Sequence, residues 1–144
     1  MQDLIHGLMI WAVTLTGYEQ PEALPEVKAV SHQQLMETLC ADQFCTAVAY
    51  YDTQSRIIYY DERMPLEQDQ NARGFIIHEM VHYLQDLNGE LKPAEMDCEQ
   101  RIEKEKQAYR VQRCVLREHQ QPTFQIDLAV AVLDSVCKDE NVDN

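Results

Sequence analysis

Internal repeats, low-complexity segments and apolar runs of membrane-spanning length are all missing from this sequence of 144 residues. We therefore predict one globular domain over residues 1–144 and no stable membrane insertion. Positive charge is also scarce, since 12 Lys and Arg stand against 25 Asp and Glu, for a formal net charge of −13. Such a surface repels nucleic acid and anionic membranes, so neither is an expected partner.

Closely spaced cysteine pairs of the kind found in zinc ribbons do not occur either. Cys40 and Cys45 could close a short loop as a disulfide, and either Cys98 or Cys114 could pair with Cys137. The cysteines could equally be small buried apolar thiols that form no disulfide. The N-terminus lacks the features of a signal peptide, although it could be the mature start of an exported protein. The compartment stays open, with a periplasmic or secreted location favoured over the cytoplasm.

The clearest pattern present is H-E-x-x-H, within residues 74–85. On a helix, His78 and His82 lie one turn apart on one face, where two imidazoles can bind one Zn²⁺. Glu79 beside them can take a proton from a water at the metal. Chance alone gives this motif in about one to two per cent of such chains, so two surface histidines beside a solvated glutamate are the less favoured interpretation. An apolar stripe offset from the histidines supports a buried helix: Ile77, Val81 and Leu84.

Hydrophobic spacing and turn residues predict a mostly helical α+β protein. Helices are expected over residues 3–16, 32–39, about 70–87, 94–118 and 124–138, with residues 18–30 as an extended connector. β-prone residues 46–51 and 56–60 flank a turn, which predicts a small antiparallel hairpin before the motif helix. We expect the fourth helix to pack through Cys98, Ile102, Tyr109, Val111 and Val115. We expect the last helix to pack through Ile126, Leu128, Val130, Leu133 and Val136.

A catalytic zinc needs a third protein ligand and one open position. The helix predicted over residues 94–118 offers several carboxylates: Glu95, Asp97, Glu99, Glu103 and Glu105. Glu105 shares the inward face with Ile102 and Tyr109, and Ala108 beside it leaves space for close helix approach. Glu99 and Glu103 point more outward. We therefore predict Glu105 as the third ligand.

This order of motifs resembles the gluzincin metallopeptidases. Several compact members carry E-x-x-A on the second helix, and Glu105-Lys-Gln-Ala108 matches it, within the span 74–112. The whole chain further resembles small bacterial zincin-like domain proteins. The resemblance implies a compact zincin-like fold and one Zn²⁺ per chain, bound by His78, His82 and Glu105. It also implies hydrolysis of a peptide or protein substrate, with Glu79 as general base. In the family, the last strand before the motif helix is an edge strand that pairs with substrate, and residues 56–60 correspond to it.

One position departs from the family pattern. Many gluzincins place an Asp four residues after the ligand Glu to hold the first His, whereas this sequence has Tyr109 there. Support for His78 must then come from elsewhere. Tyr109 is our first candidate for a donor to the oxyanion, followed by Tyr83 and His119.

Two other classes of protein remain open. One is a zinc-stabilised module that binds an extended peptide or protein on an edge strand without cutting it. The other is a helical domain without a metal, in which H-E-x-x-H is accidental.

Overall fold

Five α-helices and three β-strands follow one another along residues 1–39 and 47–142, the part of the chain that the computed structural model describes. In chain order they are α1 (Gln2–Thr16), β1 (Glu26–Val30), α2 (His32–Leu39), β2 (Ala49–Asp52), β3 (Ile57–Asp61), α3 (Gln70–Leu87), α4 (Cys98–Glu118) and α5 (Phe124–Val142). A short 3₁₀ turn, Pro93–Glu95, precedes α4. This arrangement confirms the predicted α+β class and the helical majority. None of the helices within these residues is long and apolar enough to cross a bilayer.

Local signals set most helix limits where the sequence predicts them. Gly17 ends α1 with a left-handed φ of 81°, a conformation that costs glycine little. The Asp69 side chain accepts from the Asn71 backbone N–H at 2.9 Å and caps α3. The start of α4 was predicted four residues too early. Asp97 and Gln100 form a reciprocal capping box there, so the helix begins at Cys98.

The sheet has the strand order β1-β3-β2, which confirms the hairpin and corrects two expectations. β2 and β3 pair antiparallel, with Tyr51 opposite Ile58. The predicted connector contains β1, which pairs in parallel with β3 from Glu26 opposite Ile57 onward. The sheet is therefore mixed and not purely antiparallel. β3 lies between two strands, so the expectation that residues 56–60 form an edge strand is wrong, and β2 is the edge on the hairpin side.

The motif helix α3 lies at the centre of the hydrophobic core, where α1, α4 and the sheet contact it. Its apolar residues Ile76, Ile77, Met80 and Val81 are fully buried. Ala108 of α4 is also fully buried, as its proposed part in close helix approach requires. The expected stripe of α4 is only partly confirmed. Cys98, Ile102 and Tyr109 are half-buried, and the buried residues of this helix are Ala108, Val111, Gln112, Val115 and Leu116.

The last helix packs less deeply than its apolar sequence predicts. Ile126 is buried, but the side chains of Leu128 and Val136 are 55% and 36% exposed, so these two expected packing residues are wrong. Side-chain links to α4, both ionic and covalent, explain the difference, because they fix which face of α5 turns inward. They are the ion pairs Arg113–Asp127 and Lys106–Asp134 and a disulfide between Cys98 and Cys137. The disulfide selects one of the two open pairings, whereas Cys40–Cys45 lies outside the described residues.

Candidate metal centre

The buried helix α3 brings the three motif residues together. His78, Glu79 and His82 are only 8%, 9% and 7% exposed, and one possible ligand atom from each lies within 4.8 Å of the others. The two imidazole rings are 5.0 Å apart between centroids, as expected for residues one turn apart. The structure therefore places His78, Glu79 and His82 at one point, as the sequence predicts.

Glu105 approaches the same point from α4. Its Oε1 lies 2.7 Å from His82 Nε2, and its Oε2 lies 3.2 Å from His78 Nε2. Glu99 and Glu103 are exposed on the same helix and make no such contact. Ligand atoms on a tetrahedral zinc are about 3.3 Å apart, given bonds of roughly 2.0–2.1 Å. The contact of Glu105 with His78 is close to this spacing and its contact with His82 is shorter, so the three side chains could hold a zinc ion after a small adjustment.

One buried glutamine contacts the far side of each imidazole, and neither glutamine was among the predicted site residues. Gln112 Oε1 lies 3.0 Å from His78 Nδ1, and Gln85 Oε1 lies 2.8 Å from His82 Nδ1. Gln112 thus contacts His78 from behind, where many gluzincins have an Asp at the position of Tyr109. The sequence signals were the spacings, since Gln85 follows His82 by one helical turn and Gln112 follows Glu105 by two.

Glu79 is held by the edge strand of the sheet. The Tyr51 backbone N–H donates to its Oε1 at 3.1 Å, while its Oε2 lies 3.9 Å from His78 Nε2. Burial raises the pKa of Glu79, although the charges of the two histidines oppose this shift. One carboxylate oxygen is therefore fixed, and the other faces the histidines with an increased affinity for a proton.

Without a metal, His82 and Glu105 form an ion pair. Burial alone lowers the pKa of His82, but the hydrogen bond and charge of Glu105, together with Glu79, raise it to about 9. Burial acts on Glu105 in the opposite sense and would raise its pKa. Its hydrogen bonds to His78 and His82 outweigh this and hold that pKa well below the usual range. A proton on His82 Nε2 thus lies between His82 and Glu105, two of the predicted metal ligands.

An open cleft of about 470 Å³ leads to these groups. Its walls come from α3, α4 and the segment entering β2, and its lining residues are Ala47, Val48, Ala49, Phe75, His78, Glu79, Glu105, Tyr109 and Gln112. The Tyr109 ring packs against the His78 ring, with centroids 4.4 Å apart. Burial, and then the charges of Glu105 and Glu79, raise the pKa of its hydroxyl.

The two reserve candidates for an oxyanion donor lie elsewhere. The Tyr83 hydroxyl donates to the Ala23 carbonyl at 2.7 Å, which ties α3 to the chain before β1. His119 Nδ1 lies 2.8 Å from the Val115 carbonyl, and the His119 ring packs on Trp11. Neither residue lines the cleft, so Tyr109 is the one of the three candidates that does.

Fold and site together define an α+β protein with a His-Glu-His group on its central helix and a carboxylate from the next helix facing it. The chain belongs, over residues 1–144, to the family described as Domain of unknown function (DUF6647). No curated protein and no solved structure matches it.

Proposed function

We propose that this protein is a zinc-dependent hydrolase, most specifically a metallopeptidase. The observation that carries the proposal is the convergence of His78 Nε2, His82 Nε2 and the Glu105 carboxylate beside Glu79, at the wall of an open cleft. The first three residues would hold one Zn²⁺ per chain. Bound there, Zn²⁺ would supply Lewis acidity, lowering the pKa of water and polarising a carbonyl.

Glu79 is the proposed general base. Because its Oε1 is anchored by the Tyr51 N–H, its Oε2 stays directed at the histidines. A carboxylate so oriented can take a proton from the attacking water and later deliver it to the leaving amine. Its raised pKa suits both transfers, since a more basic carboxylate accepts a proton readily and its acid form still donates.

Tyr109 is the proposed donor to the oxygen that gains negative charge. Its raised pKa keeps the hydroxyl protonated at neutral pH, so it can donate a hydrogen bond to an oxyanion. The ring contact with His78 fixes its position at the cleft wall.

An extended peptide is the substrate that this cleft fits. Ala47, Val48 and Ala49 line it, and they lead into β2, the corrected edge strand. Backbone groups two residues apart on a strand point the same way, so those of Ala49 point in the direction of the Tyr51 N–H, toward α3. A substrate strand could pair there by β-augmentation. Beside the cleft lies a cavity of about 280 Å³ that could accept an apolar side chain of the substrate, because no charged residue lines it. Its lining residues are Asn71, Phe75, Gln112, Leu116, Pro122, Phe124, Gln125 and Ile126.

Metal analysis and a peptidase assay test the proposal. Purified protein should hold about one zinc per chain and cleave a mixed library of quenched fluorescent peptides, with activity lost to a chelator and restored by Zn²⁺. Glu79→Gln should keep the zinc and lose hydrolysis, because Glu79 is assigned to proton transfer. His82→Ala should lose the zinc and its stabilisation.

The outcomes separate the competing classes. Zinc binding with peptide binding but no cleavage would identify the zinc-stabilised binding module. The absence of an Asp at position 109, where many gluzincins have one, favours this class. Full zinc occupancy in the double variant His78→Ala/His82→Ala would contradict the metal site. A peptidase rate unchanged in Glu79→Gln would contradict the mechanism while leaving the metal site intact.

A further inference from the structure

We propose that Gln85 and Gln112 are positioning residues that present both histidines to the metal through Nε2 and set the affinity of the site. The inference rests on the proposed metal site. Its basis is that a buried neutral amide contacts each imidazole from behind, whereas many gluzincins have a carboxylate behind the first histidine. Gln85 is fully buried and Gln112 is 1% exposed.

The orientation of Gln85 is fixed by its own neighbours. Its Nε2 donates to the Lys104 carbonyl at 3.0 Å and to Gln107 Oε1 at 2.9 Å. Its Oε1 must then face His82, and an amide oxygen only accepts hydrogen bonds. His82 Nδ1 therefore carries the hydrogen, which leaves Nε2 as the ligand atom. The Tyr18 hydroxyl donates to Glu90 Oε1 at 2.7 Å and lies 3.2 Å from Gln107 Oε1, so contacts between polar side chains run from the site to the connector after α1.

Gln112 is held by the close packing of α3 and α4. A Cβ built on Gly74 would lie 3.4 Å from Gln112 Cγ and 3.6 Å from its Nε2, within ordinary van der Waals contact, so the amide packs directly against α3. Its Oε1 faces His78 Nδ1 at 3.0 Å, the same arrangement as at His82. Gln85 of α3 thus orients the His82 ring, and Gln112 of α4 orients the His78 ring.

Charge explains why amides suit this site. With both histidines neutral, the carboxylates of Glu79 and Glu105 balance one divalent cation. A carboxylate at position 112 would add a third negative charge in a buried place, which costs stability when no metal is bound. The same carboxylate would make His78 a more basic ligand, because partners of ligating histidines raise ligand basicity. The glutamines therefore orient the ligands without making the metal-free fold depend on the metal.

Variants at position 112 test this role through zinc affinity and thermal stability. Affinity is measured by competition with a chromophoric chelator, and melting temperature is measured with and without Zn²⁺. Gln112→Leu and the milder Gln112→Asn should each weaken zinc binding by about 10–100-fold, because neither accepts from His78 Nδ1 at the present distance. Gln112→Glu should retain at least wild-type affinity, melt lower without metal and gain more on zinc addition. Val115→Ala is the matched control, since it removes a buried group from the same helix and should lower the melting temperature with unchanged affinity.

Each alternative result has a distinct meaning. Wild-type affinity in both Gln112→Leu and Gln112→Asn would overturn the inference, as would an equal affinity loss in Val115→Ala. Weak binding by Gln112→Glu would also overturn it, because that variant keeps an acceptor for Nδ1. Absence of zinc binding by the wild-type protein would instead overturn the proposed metal site, and this inference with it.

Discussion

Glu105→Gln is the substitution that tests the site most directly, because Glu105 contacts both histidines. In the metal-free protein it removes the carboxylate that lies 2.7 Å from His82 Nε2 and 3.2 Å from His78 Nε2. In the zinc-loaded protein it replaces a charged ligand by a neutral amide, which is a poorer ligand. Both stability and metal affinity should therefore fall, and the two effects can be measured apart.

The stability loss should depend on pH in a defined direction. The folded pKa of His82 is about 9 against an ordinary 6.5, so its pairing stabilises the fold fully below about pH 6.5 and is lost as pH rises through 9. Glu105 has a lowered pKa, so its own contribution is present above its ordinary 4.5 and is lost in acid. The shift of His82 corresponds to at most about 3 kcal/mol. Solvent screening at the Glu105 side chain, which is 38% exposed, reduces this to roughly 1–2 kcal/mol.

Denaturant unfolding in a chelator, at pH 6 and at pH 9.5 or above, measures this difference. Glu105→Gln should lose about 1–2 kcal/mol at pH 6 and much less at the higher pH. Its zinc affinity should fall at least about tenfold, since even partners of ligands cost that much. Glu103→Gln is the control, because Glu103 is exposed on the same helix and should change little. Equal losses at both pH values would refute the ion-pair reasoning. Zinc loss in Glu103→Gln but not in Glu105→Gln would refute the ligand assignment.

Two further predictions concern the framework around the site. Hydrogen bonds from Arg63 outweigh burial and lower the pKa of the buried Asp61 to about 2, so Asp61→Asn should cost about 1–2 kcal/mol in denaturant unfolding at neutral pH. This cost should shrink as pH falls from about 3.8 through 2, and a constant cost over that range would be inconsistent with the pairing. Digestion of unreduced protein should yield Cys98 and Cys137 in one linked peptide, and alkylation of both without reductant would argue against the disulfide. Cys137→Ser should lower the free energy of unfolding by about 3–4 kcal/mol, because it opens a loop of 39 residues, whereas Cys114→Ser should lower it little.

Periodicity in the sequence predicted the helices well, and several helix ends carry local start or stop signals. Gly17 and Asp69 act within a few residues of their own positions, and the structure shows both at the helix ends. The H-E-x-x-H motif is equally local, since helix geometry alone places His78 and His82 on one face. Glu105 was reachable by the same reasoning, because helical spacing puts it on the inward face of α4.

Apart from the start of α4, which a local capping box sets, the errors involve partners distant in sequence. β1 is short and half-exposed, so its parallel pairing with β3 leaves no pattern in residues 26–30. That pairing moved β3 to the middle of the sheet and gave the cleft edge to β2. The last helix has apolar residues on several faces, and only the links to α4 decide that Ile126 turns inward while Leu128 stays exposed.

The sequence by itself determined the class of fold and the chemistry of the candidate site, since spacing on a helix fixes which side chains share a face. Only the tertiary structure decided how those side chains are supported. Gln85 and Gln112 are ordinary polar residues in sequence. The place of Gln112 behind His78 follows from the packing of α4 on α3. The amide of Gln85 is turned toward His82 by its hydrogen bonds to Lys104 and Gln107 of α4. The contact between Glu79 and the Tyr51 N–H likewise joins a helix to a strand 28 residues away, and no local propensity records such a contact.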